Sequence, residues 1–166
     1  MNTVKIDLCG LPDELRSGLE KLCMHEGFRS GTDGIRLSAR RGGAFSAEFD
    51  GQTLRVEYCE PVQFFRALSY LKRADHRRFA LHRQPVFEHN GVMLDCSRNA
   101  VPRVEAVKMV LRKMALMGLN TLMLYTEDTY EVPEQPYFGY LRGRYSVEAL
   151  RGLDSYAAAL GIELVP

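Results

Sequence analysis

Two short runs gather the groups able to recognise a polyhydroxylated ligand. The first, Asp95-Cys96-Ser97-Arg98-Asn99, sets a carboxylate and a guanidinium three residues apart, directly after the apolar Val92-Met93-Leu94. The second, Tyr125-Thr126-Glu127-Asp128-Thr129-Tyr130, sets two carboxylates between two phenols, directly after Leu124. Carboxylates accept hydrogen bonds and a guanidinium donates them as a fork, so either run could hold sugar hydroxyls; equally, Asp95 and Arg98 could pair with each other. Glu127 and Asp128 face opposite sides if the backbone stays extended, so adjacency alone does not make them an acid/base pair. Asp128 and Thr129 could instead serve as plain loop or capping residues. Tyr125, Tyr130, Tyr137, Phe138 and Tyr140 offer rings that could stack on a sugar face or pack together as a loop cluster.

Other chemistries lack their residues. His25, His76, His82 and His89 have no metal-ligand spacing, so no metal is expected, and no cofactor motif is present: neither a phosphate loop, nor a dinucleotide fingerprint, nor a Gly-x-Ser-x-Gly elbow. The basic run Lys72-Arg73-Ala74-Asp75-His76-Arg77-Arg78, with His82 and Arg83, reads as a solvated face at a helix end. Lys plus Arg (22) nearly balances Asp plus Glu (21), which argues against nucleic acid and anionic membrane as partners and for a neutral ligand. No apolar run approaches the roughly 20 residues of a membrane span, and Met1-Asn2-Thr3-Val4-Lys5 does not resemble a secretory signal. A cytoplasmic setting is expected. Cys9, Cys23, Cys59 and Cys96 form no Cys-x-x-Cys pair and read as buried thiols.

The elements that must position the two runs fall into two patterns. Val4 to Leu8 alternates like a half-buried strand, and Pro12-Asp13-Glu14 opens a helix with Leu15, Leu19, Leu22 and Cys23 on one face, closed by Gly27. Three alternating segments follow, Ile35 to Arg40, Ala44 to Asp50 and Thr53 to Tyr58, punctuated by Arg41-Gly42-Gly43 and by the hairpin signal Asp50-Gly51. They read as an antiparallel meander. A second helix, Pro61 to Ala74, carries Val62, Phe65, Leu68 and Leu71 at helical spacing, which completes a small α+β layer domain over residues 1–84.

From residue 85 to 166 strands and helices alternate, the mark of a parallel sheet. Val92-Met93-Leu94 is apolar on both faces, as an interior strand should be. A helix begins at Pro102 and ends at Gly118, the strand Asn120 to Tyr125 follows, and Ser146 caps a helix that ends at Gly161 before Ile162 to Val165. Three strands and two crossover helices make the start of a (β/α)₈ barrel, which needs eight of each and about 250 residues. In such barrels ligands meet the loops at the C-terminal strand ends, where both polar runs stand.

Asn90-Gly91-Val92-Met93-Leu94-Asp95-Cys96-Ser97-Arg98-Asn99 resembles the first barrel strand of family 20 glycoside hydrolases, the β-N-acetylhexosaminidases. Leu116-Met117-Gly118-Leu119-Asn120-Thr121-Leu122-Met123-Leu124 is similar to the end of that family's first helix and its second strand. Tyr125 to Tyr130 stands where His-Leu-Thr-Asp-Asp-Gln is more usual. The loop Tyr137-Phe138-Gly139-Tyr140-Leu141-Arg142-Gly143-Arg144-Tyr145 resembles that of one bacterial subgroup. Residues 1–84 agree with the family in architecture, since its members often carry a small α/β domain before the barrel. Most members have Arg-Gly at the start of the first strand, where the Arg binds substrate hydroxyls. Here Asn90-Gly91 takes that place, without the charge or the donor fork.

The resemblance implies removal of terminal β-linked N-acetylhexosamine by substrate-assisted retention, an exception to the two-carboxylate scheme. The sugar's own acetamido carbonyl attacks the anomeric carbon, an Asp orients that amide, and an adjacent Glu protonates the leaving oxygen. That Asp-Glu pair follows the fourth barrel strand and is expected beyond Pro166, so no catalytic residue is assigned and the chain alone is expected to be inactive. Substrate-side residues carried over are Asn90, Arg98, Glu127, Asp128 and Tyr130. The alternative is a non-catalytic sugar-binding or interaction module that keeps a relic of the barrel.

Overall fold

A computed structural model describes residues 3–75, 77–98 and 100–166. His76 and Asn99, named above in the basic run and the first polar run, lie outside the described residues, as do Met1 and Asn2.

The first sheet has six strands, β1 (Val4–Asp7), β2 (Phe28–Ser30), β3 (Ile35–Arg41), β4 (Phe45–Phe49), β5 (Thr53–Tyr58) and β6 (Phe79–Arg83), in the order β2-β1-β3-β5-β4-β6. Helices α1 (Asp13–His25) and α2 (Pro61–Arg73) supply the apolar cover: Leu15, Leu19 and Leu22 from one, Phe64, Phe65 and Leu68 from the other, all fully buried. The N-terminus of α2 is fixed by a reciprocal cap, in which Glu60 and Gln63 each satisfy the other's backbone N–H, with Pro61 as the first helical residue.

The expected antiparallel meander is a mixed sheet. Asp50-Gly51 does close an antiparallel hairpin, with Phe49 opposite Leu54 and Asp50 Oδ1 accepting from the N–H groups of Gln52 and Thr53. Arg41-Gly42-Gly43 makes no hairpin: β5 inserts between β3 and β4 and runs parallel to β3, Leu37 opposite Leu54. Alternation decides which side chains face the core but not which strands become neighbours. Two strands escape the sequence reading. The three residues of β2 are too few to show a period, and β6 is hidden beside the basic run, with only Phe79 and Leu81 turned inward.

The second sheet is parallel, β7 (Gly91–Asp95), β8 (Thr121–Tyr125) and β9 (Glu163–Val165), in that order. Its crossovers contain α3 (Val104–Met117) and α4 (Val147–Ala158). Gly118 ends α3 in the left-handed conformation (φ 75°), and the Ser146 side chain accepts from the Ala149 N–H to cap α4. Leu122 and Leu124 of β8 are buried, whereas Met123 and Tyr125 on its other face are exposed. The expectation of an interior strand at β7 is not met: Val92 and Met93 are both exposed, because among the described residues β7 pairs with β8 alone and is an edge.

The two sheets meet through their helices, α2 on α3, and one apolar core runs through both. Glu26, at the C-terminal cap of α1, is buried with Arg112 of α3, whose Nε donates to Glu26 Oε1 at 3.2 Å and whose Nη1 donates to the Tyr156 hydroxyl at 3.0 Å. Lys113 pairs with the other Glu26 oxygen. The cysteines correct a third expectation: Cys96 is buried, Cys23 and Cys59 are half-buried, and Cys9 is exposed.

Candidate functional site at the strand ends

Because β7, β8 and β9 are parallel, their C-terminal ends share one side, with Asp95 directly opposite Tyr125. The chain leaves β7 through a tight turn in which Asp95 Oδ1 accepts from both the N–H and the hydroxyl of Ser97, each at 2.7 Å. Those two bonds hold the Asp95 carboxyl below the usual range, with Arg98 adding a smaller charge effect. Ser97, rather than Arg98, is therefore the side-chain partner of Asp95.

Arg98 turns to the other loop, with Nη2 3.5 Å from Glu127 Oε1. The same oxygen accepts the Tyr125 hydroxyl at 3.0 Å, and this bond raises the Tyr125 pKa, so the phenol remains a donor near neutral pH. Glu127 adopts a left-handed backbone (φ 49°), uncommon for any residue but glycine. That twist sends Glu127 toward Arg98 while Asp128 is held elsewhere, with Arg142 Nη1 2.8 Å from its Oδ1. The neighbouring carboxylates thus have separate partners and form no shared acid/base couple.

Behind them the loop is tightly built. Thr129 is fully buried, donating its hydroxyl to the Thr126 carbonyl at 2.7 Å. Tyr130 is half-buried and packs edge-on against Phe138, ring centroids 5.2 Å apart. Tyr137 and Tyr140 form another edge-on pair at 6.1 Å and stay exposed, Tyr137 at 82%. The loop-cluster outcome is the one seen, with Tyr130 on Phe138 and Tyr137 on Tyr140.

The structure joins Arg98 and Glu127 with Tyr125, ties Asp128 to the same loops through Arg142, turns Tyr130 to Phe138 instead, and leaves Asn90 apart. Asn90 precedes β7, and its backbone bonds to Asn120, N–H to the Asn120 Oδ1 at 2.7 Å and carbonyl to the Asn120 N–H at 2.8 Å. Five residues separate it from Asp95, about 16 Å at roughly 3.3 Å per strand residue. Asn90 instead borders a groove of ≈ 780 Å³ that also includes Phe45, Tyr70, Phe87 and Met117, at the opposite end of the sheet. Sequence reasoning also missed Arg142, which lies 14 residues from Asp128 and announces its partner by no local spacing. Among the described residues no cluster of His, Cys, Asp and Glu could hold a metal, and no helix is long and apolar enough to cross a membrane.

In chemical terms the cluster is a set of donors and acceptors: the Arg98 fork, the Tyr125 phenol, and the carboxylates of Asp95, Glu127 and Asp128. It suits hydroxyl recognition.

No family model and no curated protein matches the sequence. Solved structures do. The family 20 exo-β-N-acetylglucosaminidase of Vibrio harveyi, solved with N-acetylglucosamine, superposes with a TM-score of 0.73 at 20% identity, over 99% of this chain and 32% of that one. The N-acetyl-β-hexosaminidase of Streptomyces plicatus, in complex with Thio-NAglucal, gives 0.73 at 19% identity, over 100% of this chain and 41% of that one. The β-N-acetylhexosaminidase of Bacteroides fragilis gives 0.70 at 17%, over 100% and 40%. This chain, small sheet and barrel strands together, has the fold of family 20 β-N-acetylhexosaminidases over about a third to two fifths of their length.

Proposed function

We propose that this chain is the leading part of a β-N-acetylhexosaminidase that removes terminal β-linked N-acetylhexosamine by substrate-assisted retaining hydrolysis, with its loops serving the sugar side. The observation that carries the reading is the superposition of the entire chain, both sheets included, on hexosaminidases. Arg98, Glu127 and Asp128 fit it, since they gather at the strand ends where barrel enzymes bind ligands. The orienting Asp and the acid Glu belong, in this reading, to a fourth strand beyond Pro166, and the chain alone does not turn over substrate. A cytoplasmic setting agrees with four cysteines that form no disulfide.

A sugar-binding module with no further barrel accounts less well for the second sheet. Its open face carries Met93 and Met123 at 60% and 41% exposure, an apolar surface that a finished module would cover.

Two measurements on the chain test the reading. With an aryl N-acetyl-β-glucosaminide, no turnover is expected; turnover abolished by Glu127→Gln would move the catalytic acid onto this chain. With N-acetylglucosamine at millimolar concentration, amide resonances of Ser97, Arg98, Glu127 and Asp128 should shift. Unchanged resonances in both loops would remove the sugar-side assignment.

A further inference from the structure

We propose that Arg142 is a positioning residue: without touching the sugar, it locks the loop after β7 to the loop after β8 and so sets Arg98 against Glu127. The inference rests on the sugar-side reading above and adds a residue to it. Arg142 Nη2 donates to the carbonyl of Ser97, the residue before Arg98. Its Nη1 lies 2.8 Å from Oδ1 of Asp128, the residue after Glu127. One guanidinium therefore grips the chain neighbours of both members of the Arg98–Glu127 pair, which a planar fork with separate nitrogens can do and a single ammonium cannot do as well. The contact with Asp128 is ionic rather than directional, since the buried Oδ1 receives no N–H among the described residues.

The rest of the Arg142 loop is built to hold that fork in place. Gly139 (φ 65°) presses on the same segment, where an added Cβ would stand 2.2 Å from the Asp128 carbonyl oxygen. Tyr145 donates its N–H to the Thr129 carbonyl at 3.0 Å and its hydroxyl to the Pro102 carbonyl at 2.6 Å, so it too spans both loops. Left-handed backbone at two non-glycine residues, Glu127 (φ 49°) and Leu141 (φ 60°), flanks the ion pair between Asp128 and Arg142. Such conformations persist only where surrounding contacts enforce them. Arg142 is the charged contact common to both places.

The test uses the 166-residue chain and compares Arg142→Ala and Arg142→Lys with wild type, by amide hydrogen exchange and by titration with N-acetylglucosamine. Arg142→Ala should accelerate exchange about tenfold at Cys96 to Arg98 and at Glu127 to Thr129 together, with α1 and α2 unchanged. Sugar affinity should fall by a factor of about ten. Arg142→Lys should restore protection in one loop and not the other. Acceleration in neither loop, or a uniform rise over the whole chain, overturns the proposal. If wild type binds the sugar and Arg142→Ala binds it equally well, the positioning role also falls. If wild type ignores the sugar while Arg142→Ala still releases both loops, the lock stands and the sugar-side reading is what fails.

Discussion

Each sheet is covered by helices on one face, and the uncovered faces are finished differently. On the first sheet it carries Arg36, Arg40, Glu48, Arg55 and Glu57, with ion pairs Arg40–Glu57 and Arg55–Asp50 lying in water. On the second it carries a row across three strands, Met93, Met123 and Val165, paired in register and flanked by Tyr125. The edges differ as well, since β6 ends the first sheet with His82 and Arg83 exposed, whereas β7 ends the second with Val92 and Met93. A charged free face and a polar edge discourage further association; an apolar free face invites it. The free face of the first sheet suits water, and that of the second suits another apolar surface.

Several substitutions would break or sharpen that contrast. The largest effect should come where the two regions are joined: Glu26→Gln leaves the buried Arg112 without its charge partner, and loss of about 3–5 kcal/mol is expected in urea unfolding. Splitting of one transition into two would show that the joint carries the coupling between sheets. Within the first sheet, Leu54→Ala empties a fully buried position and should cost about 2–5 kcal/mol by the same measurement.

A pH scan separates the regions less sharply. Burial, and the bond donated to Glu14, push the Tyr58 pKa up to about 12, above the value of about 10 for an unfolded tyrosine. Its stabilisation is therefore complete below pH 10 and lost as pH rises toward 12, and Tyr58→Phe should flatten that alkaline decline. At the small end, Met93→Ser on the open face should change stability by no more than about 0.5 kcal/mol, while reducing self-association measured by sedimentation. A large loss there would mean that the face is already packed.

Much of this architecture is written locally in the chain. The cap residues Ser146 and Gly118, the Asp50-Gly51 hairpin and the alternation from Ile35 to Tyr58 each depend on contacts within a few residues, and each is read correctly from sequence. The loops after β7 and β8 were also recognisable, because polar residues directly follow apolar strands. What the sequence hid is long-range. Nothing near Thr53 tells that β5 will lie between β3 and β4, and nothing near Arg142 points to a carbonyl 45 residues away. Asp95 and Arg98 mislead for the same reason: spacing of three suggests a pair, but Ser97 is nearer to one and Glu127 is available to the other.

The helix contact between the sheets bears on how the chain is made. Gly18 of α1 admits the Ala159 carbonyl so closely that a Cβ would stand 2.2 Å from it, and Gly161 meets the Val62 backbone N–H in the same way at 2.6 Å. Both contacts seat the end of α4, complete at Ala158, on helices already complete at His25 and at Arg73. At about 5–20 residues per second, the first sheet has seconds to fold before α4 is complete. It can then act as a template against which β7, β8 and β9 are laid down in order, with the face that carries Met93, Met123 and Val165 turned away from the seat.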